Sequence, residues 1–300
     1  MTVVINPHVR VGPLLQLGAG GPRRFVDGAD CGRLLAVDRE LGDALEDLTR
    51  RVGERLEDED VDRALGGRER SRELLRQGVL RVAEDADRPV AAPAARPGRL
   101  HLFDPAPLLP ARPAPIGVLV PLVGVLAVVV LTIAAVTTRG LLADSVARSL
   151  REPVLLLVAA VLLVGCVLVH ELGHALALSA GGGRSRSIGL TLYPLPGLYT
   201  EMRSVYLLDS RWDRAAVFLA GPVTTALVSL VLLIAGTFLR EAAPGAAATL
   251  TIAVWANVLL GLVNLLPVPG SDAHQALRHL GATTPPSPLT TTRDNVEAAS

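Results

Sequence analysis

The chain has no lysine: all 29 of its basic residues are arginine. That pattern reads as genome composition and not as mechanism. Cysteine is nearly absent as well, and Cys31 and Cys166 alone cannot build a disulfide framework. Charge of either sign is not in excess, because 29 basic residues face 29 acidic ones. A nucleic-acid partner therefore has no electrostatic support. Met1 to Leu17 lacks a cationic start followed by an apolar run, so no signal peptide is expected. What the chain has in quantity is apolar surface. Half of its 300 residues are hydrophobic and the mean hydropathy is +0.43, which excludes a disordered, solvating chain.

The zero net charge hides an asymmetry. Residues 1–115 hold 18 arginines and 19 acids, whereas the longer stretch 116–300 holds 11 and 10. The first part is soluble-like and the second membrane-like. Residues 1–88 read as a small α+β domain. Val3 to Leu17 is β-rich and interrupted by Pro7, Gly12 and Pro13, and Arg23–Val26 can pair with it as a hairpin across Gly18–Gly21. Asp38–Leu48 is helical by its Leu41, Leu45, Leu48 spacing. Glu69–Gln77 is a second amphipathic helix, closed by Gly78 and followed by a strand at Val79–Val82. This order suggests a winged-helix-like module, with a generic helical domain as the alternative. Residues 89–115 carry eight prolines in 27 positions and read as a semi-extended linker. Residues 281–300 are expected to be a disordered tail.

Four apolar segments follow the linker: Ile116–Thr138, Val154–Ala180, Ala215–Leu239 and Ala246–Leu266. Each is long enough to cross a hydrocarbon core of roughly 30 Å. Glu171 is the one formally charged residue inside them, and soluble helices of this length would show a polar face. The expected architecture is an α-helical integral membrane protein with four transmembrane helices and a small soluble N-terminal domain. Flanking arginines set its orientation. Nine (Arg96, Arg99, Arg112, Arg184, Arg186, Arg203, Arg211, Arg214, Arg278) fall on one side and four (Arg139, Arg148, Arg151, Arg240) on the other. The expectation is a multi-pass protein of the cell membrane with both termini cytoplasmic.

The second segment contains His170-Glu171-Leu172-Gly173-His174. Positions i and i+4 share a helix face, so two imidazoles there can bind one Zn²⁺. Glu171 is placed to reach a water at the metal without ligating it, the general-base arrangement of zinc proteases. Ionisable groups at membrane depth are costly, and a shared divalent cation is the simplest partner for three of them on one turn. Zinc wants a third protein ligand. The best source is Asn264-Leu-Leu-Pro267-Val-Pro269-Gly-Ser271-Asp272-Ala273-His274, with Asp272 first and His274 second. The fourth segment ends on the side where the helix of His170 also ends, so both halves of the site fall at one membrane face. Cys166 lies one turn before His170 and reads as a small buried hydrophobe. His8, His101 and His279 read as surface residues, Trp212 and Tyr206 as interface anchors, and Asn257 as a packing hydrogen bond.

On these residues, 154–280 resemble the site-2 protease family of intramembrane zinc metalloproteases. His170, Glu171 and His174 match its first signature. Asn264, Pro267, Pro269 and Asp272 match the asparagine–proline–aspartate–glycine segment that carries the third ligand. The chain departs where Ala273 replaces the glycine and Ser271 the usual leucine, which leaves His274 open as a ligand. Ala220-Gly221-Pro222 is also similar to relatives. It suits close helix packing, or it is an ordinary helix-start proline. Ile188–Gly197 alternates with period two and then turns. It reads either as a connecting loop or as the β element whose edge can receive an extended substrate. Residues 1–88 resemble, more weakly, winged-helix domains that bind leader peptides in ribosomal peptide natural-product pathways.

The resemblance implies a zinc endopeptidase in which His170, His174 and Asp272 hold the metal, Glu171 is the base and Asn264 assists the substrate. The expected substrate is a precursor peptide whose leader is removed. A membrane-tethered regulator is the alternative, and a non-enzymatic peptide scaffold is another.

Overall fold

The computed structural model describes residues 2–6, 9–16, 21–28, 33–52, 54–83, 99–105, 107, 109, 114–185, 187–192 and 197–281, with residues 28, 33, 99, 130, 133–135 and 137–139 by backbone alone. The chain divides into two compact units at Ala94–Ala95. Most of the Pro-rich stretch and residues 282–300 of the expected tail lie outside the described residues.

The N-terminal unit has two three-stranded antiparallel sheets. In one, β1 (Thr2–Ile5) lies between β5 (Leu56–Glu57) and β6 (Leu80–Val82). In the other, β2 (Arg10–Leu15), β3 (Arg23–Gly28) and β4 (Arg33–Val37) form a meander. The β-rich run read as one segment is thus two strands in different sheets. Pro13 has no N–H to donate, and the β2–β3 register shifts between Val11 and Leu14. Helices α1 (Arg39–Thr49), α2 (Asp58–Ala64) and α3 (Arg68–Arg76) complete the unit. Their buried residues Leu45, Leu48, Val61 and Leu74 join Val3, Ile5, Val79 and Leu80 in one core.

Local chemistry explains these boundaries. Asp38 caps α1, its carboxylate accepting the Leu41 N–H at 2.8 Å, an interaction of about 1 kcal/mol. Gly78 ends α3 at φ 73°, with Gly78 N–H donating to the Leu75 carbonyl and Val79 N–H to the Leu74 carbonyl. Helices α2 and α3 are joined through Gly66 and Gly67, both at positive φ. Helix α2 buries only Val61, so it shows no apolar period in the sequence. Within α1, a Cβ on Gly42 would fall 2.5–3.0 Å from the Arg24 side chain. The glycine lets that arginine lie across the helix and pair with Asp43 and Glu46. The hydrogen bond from Arg24 lowers the Glu46 carboxyl below its ordinary value.

The second unit is a helical membrane body with a small sheet. It contains β7 (Arg99–Phe103), α4 (Ile116–Arg151), α5 (Val154–Ala180), β8 (Ile188–Thr191), β9 (Gly197–Thr200), a 3-10 turn at Arg203–Leu207, α6 (Arg211–Leu239), α7 (Pro244–Leu265) and α8 (Asp272–Leu280). Helices α5, α6 and α7 are each long and apolar enough to cross a membrane, so the chain is a multi-pass α-helical membrane protein. In α4 the described side chains form a shorter apolar stretch, Ile116–Val129. Helix α6 packs against α4, α5, α7 and α8 and is the centre of the bundle.

The sheet order is β7-β8-β9, antiparallel throughout. Residues 188–191 are a strand and not a connecting loop, paired with β9, although its burial does not alternate; residues 193–196 lie outside the described residues. Strand β7 arises inside the stretch read as linker. Its five residues contain no proline, and pairing with β8 satisfies backbone groups that the surrounding prolines cannot.

Candidate metal centre

Helix α5 carries the two histidines on one face, both buried: His170 is 5% exposed and His174 1%. Each ring is held through Nδ1. His174 Nδ1 lies 2.7 Å from the Val217 carbonyl and His170 Nδ1 lies 2.9 Å from Thr225 Oγ1, both on α6. A carbonyl only accepts, so His174 carries its proton on Nδ1 and presents a bare Nε2 lone pair. This is the outer-shell arrangement that orients metal-binding imidazoles. The Nε2 atoms of the two rings are 3.2 Å apart.

The third group comes from α8. Asp272 Oδ2 is 3.2 Å from His170 Nε2 and Oδ1 is 3.4 Å from His174 Nε2. Tetrahedral zinc with ligands at 2.0–2.1 Å separates its donor atoms by about 3.3 Å. The cluster therefore already has the spacing of a zinc site, and Asp272 Oδ2 is a buried oxygen without a hydrogen-bond partner. His170, His174 and Asp272 form a cluster capable of coordinating a metal ion. Burial alone would raise the Asp272 carboxyl. The facing His170 and His174 side chains outweigh it and bring the group down to about 2, leaving it ionised at neutral pH.

The departures at Ser271 and Ala273 have a local explanation. Ser271 Oγ accepts the His274 N–H at 3.1 Å, as a helix cap does, and donates to the Leu266 carbonyl. Asp272 and Ala273 are already helical, so no glycine is needed there. The sharp turn is taken instead by Gly270, at φ 95°. His274 is one of the residues following on α8 and is not part of the cluster. Cys166 is buried but is not part of it either.

Ala220-Gly221-Pro222 is explained by packing. A Cβ on Gly221 would fall 2.6 Å from His170 Nε2 and closer still to His174 Nε2. On the facing helix, a Cβ on Gly173 would run into Thr224 and the Ala220 carbonyl. The two glycines let α5 and α6 approach where the imidazoles sit. Gly221→Ala is expected to displace the rings and abolish zinc binding while the protein stays in the membrane. Gly236→Ala, whose nearest neighbour would be 3.5 Å away, is the tolerated control. Zinc content of the two purified variants checks this, and full occupancy in Gly221→Ala would overturn it.

Glu171 is half-buried, and its carbonyl accepts a 2.9 Å hydrogen bond from Thr200 Oγ1 at the end of β9. The sheet is thereby tied to the zinc helix at the residue next to His170. Asn264 lies one residue before the end of α7 and is half-buried. Asn257 is buried and donates to the Thr225 carbonyl and Ser229 Oγ, a packing role that also braces the partner of His170.

His279 is not a surface residue. It is 1% exposed, stacked on Phe218 at 5.1 Å and against Tyr206 at 5.1 Å. Tyr206 is accordingly part of this contact, while Trp212 is exposed. Arg214, fully buried at the start of α6, donates to the Leu208 and Asp209 carbonyls. His279 lies two turns beyond Asp272, so its stacking seats the helix that carries the third ligand. No local sequence signal marks it; only the amphipathic period of α8 points inward. Burial, then the charges of Arg214 and Arg278, lower His279 from 6.5 to about 4. Its folded value is below its unfolded one, so its contribution is complete above about 6.5 and is lost as pH falls towards 4. Hydrogen exchange of α8 should show protection falling across that window in the wild type. The fall should be smaller in His279→Phe, and equal falls would sink the assignment.

The family model of peptidase family M50 matches residues 158–242. A Synechocystis sp. protein whose name includes the words zinc metalloprotease is 33% identical over 124 residues, 41% of this chain and 31% of the relative. The chain thus aligns with under a third of that relative's length. No solved structure matches.

Proposed function

We propose that this chain is an intramembrane zinc-dependent endopeptidase. The observation that carries the reading is the pair of imidazoles on an apolar helix and one carboxylate from α8 at zinc spacing, with a second carboxylate adjacent in sequence to His170. The similarity to peptidase family M50 over residues 158–242 supports it. Bound Zn²⁺ would supply Lewis acidity, polarising the scissile carbonyl and acidifying a water. Glu171 accepts the proton of the attacking water and passes it to the leaving amide nitrogen. The Val217 carbonyl holds His174 in the required tautomer, and Thr225 orients the His170 ring. Asn264 is assigned to the substrate backbone. The peptide must be extended to expose its amide, and the sheet tied to Glu171 through Thr200 offers an edge for that purpose. The test is purification in detergent, zinc analysis, and incubation with peptides from neighbouring genes. A metal-free protein that cleaves nothing would refute the reading.

Helix α4 is assigned as a fourth span, with both termini cytoplasmic. Arg214 is buried and contributes no flanking charge, which leaves eight arginines against four. Reporter fusions at Gly18 and Ala243 should give opposite compartments. A non-cytoplasmic signal at Gly18 would reverse the orientation.

The N-terminal unit is assigned as a peptide-recognition domain that delivers a precursor peptide. The glycine-jointed α2–α3 pair followed by β6 supports a winged-helix-like reading. Regulated cleavage of a membrane-tethered protein is the competing substrate class. Separate binding assays of residues 1–88 with each candidate peptide distinguish the two.

A further inference from the structure

We propose that a cleft at the end of the bundle farthest from the metal cluster holds the headgroup of a zwitterionic phospholipid bearing a primary ammonium, one per chain. Helices α4 and α6 run side by side in the same direction, since the Gly117 N–H near the start of α4 donates to Asp213 in the first turn of α6 at 2.8 Å. At 1.5 Å per residue, Gly117 to Arg148 spans about 46 Å and Asp213 to Arg240 about 40 Å. Both exceed a hydrocarbon core of roughly 30 Å. With the metal end at one interface, Arg148 and Arg240 stand in the headgroup layer of the other.

There the two arginines line one cavity of about 190 Å³, between α4, α6 and the start of α7. A cavity of that size suits a headgroup and not a whole lipid. Asp144, Ser145, Thr237 and Thr251 line it as well. The lining therefore offers two guanidiniums and one carboxylate. Guanidinium forks suit a phosphate. Among the described residues Arg148 pairs with Glu152 at 3.7 Å, a separation that leaves donors to spare. Thr237 and Thr251 donate their hydroxyl protons to the Leu233 and Ala247 carbonyls, so towards the cavity they offer lone pairs. Lone pairs and the Asp144 carboxylate want a hydrogen-bonding cation. A primary ammonium meets that demand, and a quaternary one cannot donate.

The test is native mass spectrometry of the full chain after exchange into bilayer discs of phosphatidylethanolamine, phosphatidylcholine or phosphatidylglycerol. The expected result is one phosphatidylethanolamine retained per wild-type chain under conditions that strip the other two. Arg148→Gln/Arg240→Gln should lower retention at least tenfold with zinc content unchanged. Asp144→Asn should reduce discrimination against phosphatidylcholine. Equal retention of the three lipids, a preference for phosphatidylglycerol, or a double variant that retains lipid like the wild type would each overturn the proposal. Should the double variant lose zinc, the wild-type comparison of the three lipids decides alone.

Discussion

Glu171→Gln is expected to keep zinc at wild-type occupancy while lowering turnover by about 10²–10⁴-fold, the usual contribution of a general acid–base. Glutamine preserves the size of the side chain and its place on α5 but cannot accept the water's proton. The backbone role of residue 171 is untouched, because Thr200 hydrogen-bonds to its carbonyl and not to its carboxylate. The helix and the attached sheet should therefore stay in place, and the loss should fall on turnover alone. Elemental analysis and a cleavage assay on the same preparation read the two quantities together. Turnover close to wild type would remove Glu171 from the role of base. Loss of zinc along with turnover would show that its carboxylate is bound up with the metal instead.

The second large effect is expected at the third ligand. Asp272→Ala should reduce zinc from about one per chain to near zero, and activity with it, whereas His274→Ala should leave both close to wild type. Asp272 meets both imidazoles at 3.2 and 3.4 Å, and its buried Oδ2 has no hydrogen-bond partner, which suits a metal-ligand oxygen. His170→Ala or His174→Ala should match Asp272→Ala in zinc loss, because a zinc site with two protein ligands is incomplete. If His274→Ala proved the more damaging, the ligand would move one residue beyond Ala273 while the protease reading survived.

The metal cluster was legible because its first half is local. A helix places residues i and i+4 on one face whatever it packs against, so His170 and His174 declare themselves within five residues. Asp272 was reachable through the proline-rich spacing before it. The groups that hold these ligands were not legible. Thr225 is 55 residues from His170, and Val217 is 43 from His174. One of the two contributes only a carbonyl, which every residue possesses. Gly221 could be read as suiting close helix packing, but not against which groups, since those are the rings opposite. His279 was misread because a histidine near a helix end looks solvated until the stacking faces of Phe218 and Tyr206 are known. In the N-terminal unit, helix α1 announced itself by its leucine period. Strand β4 and helix α2 showed no such pattern, and β7 was hidden among prolines.

Strand β7 also sets where the membrane unit begins as a physical object. A fragment starting at Ile116, where the apolar helix begins, would strip β8 of its neighbour and leave Gly189 and Leu190 on an open edge. It would also lose the Ser179 hydroxyl's hold on the Leu109 carbonyl at 3.2 Å and the Ala114 N–H to Ala180 carbonyl bond at 3.0 Å, which stitch this segment to the end of α5. Such a fragment should therefore unfold at a lower temperature in detergent than one beginning at Ala95.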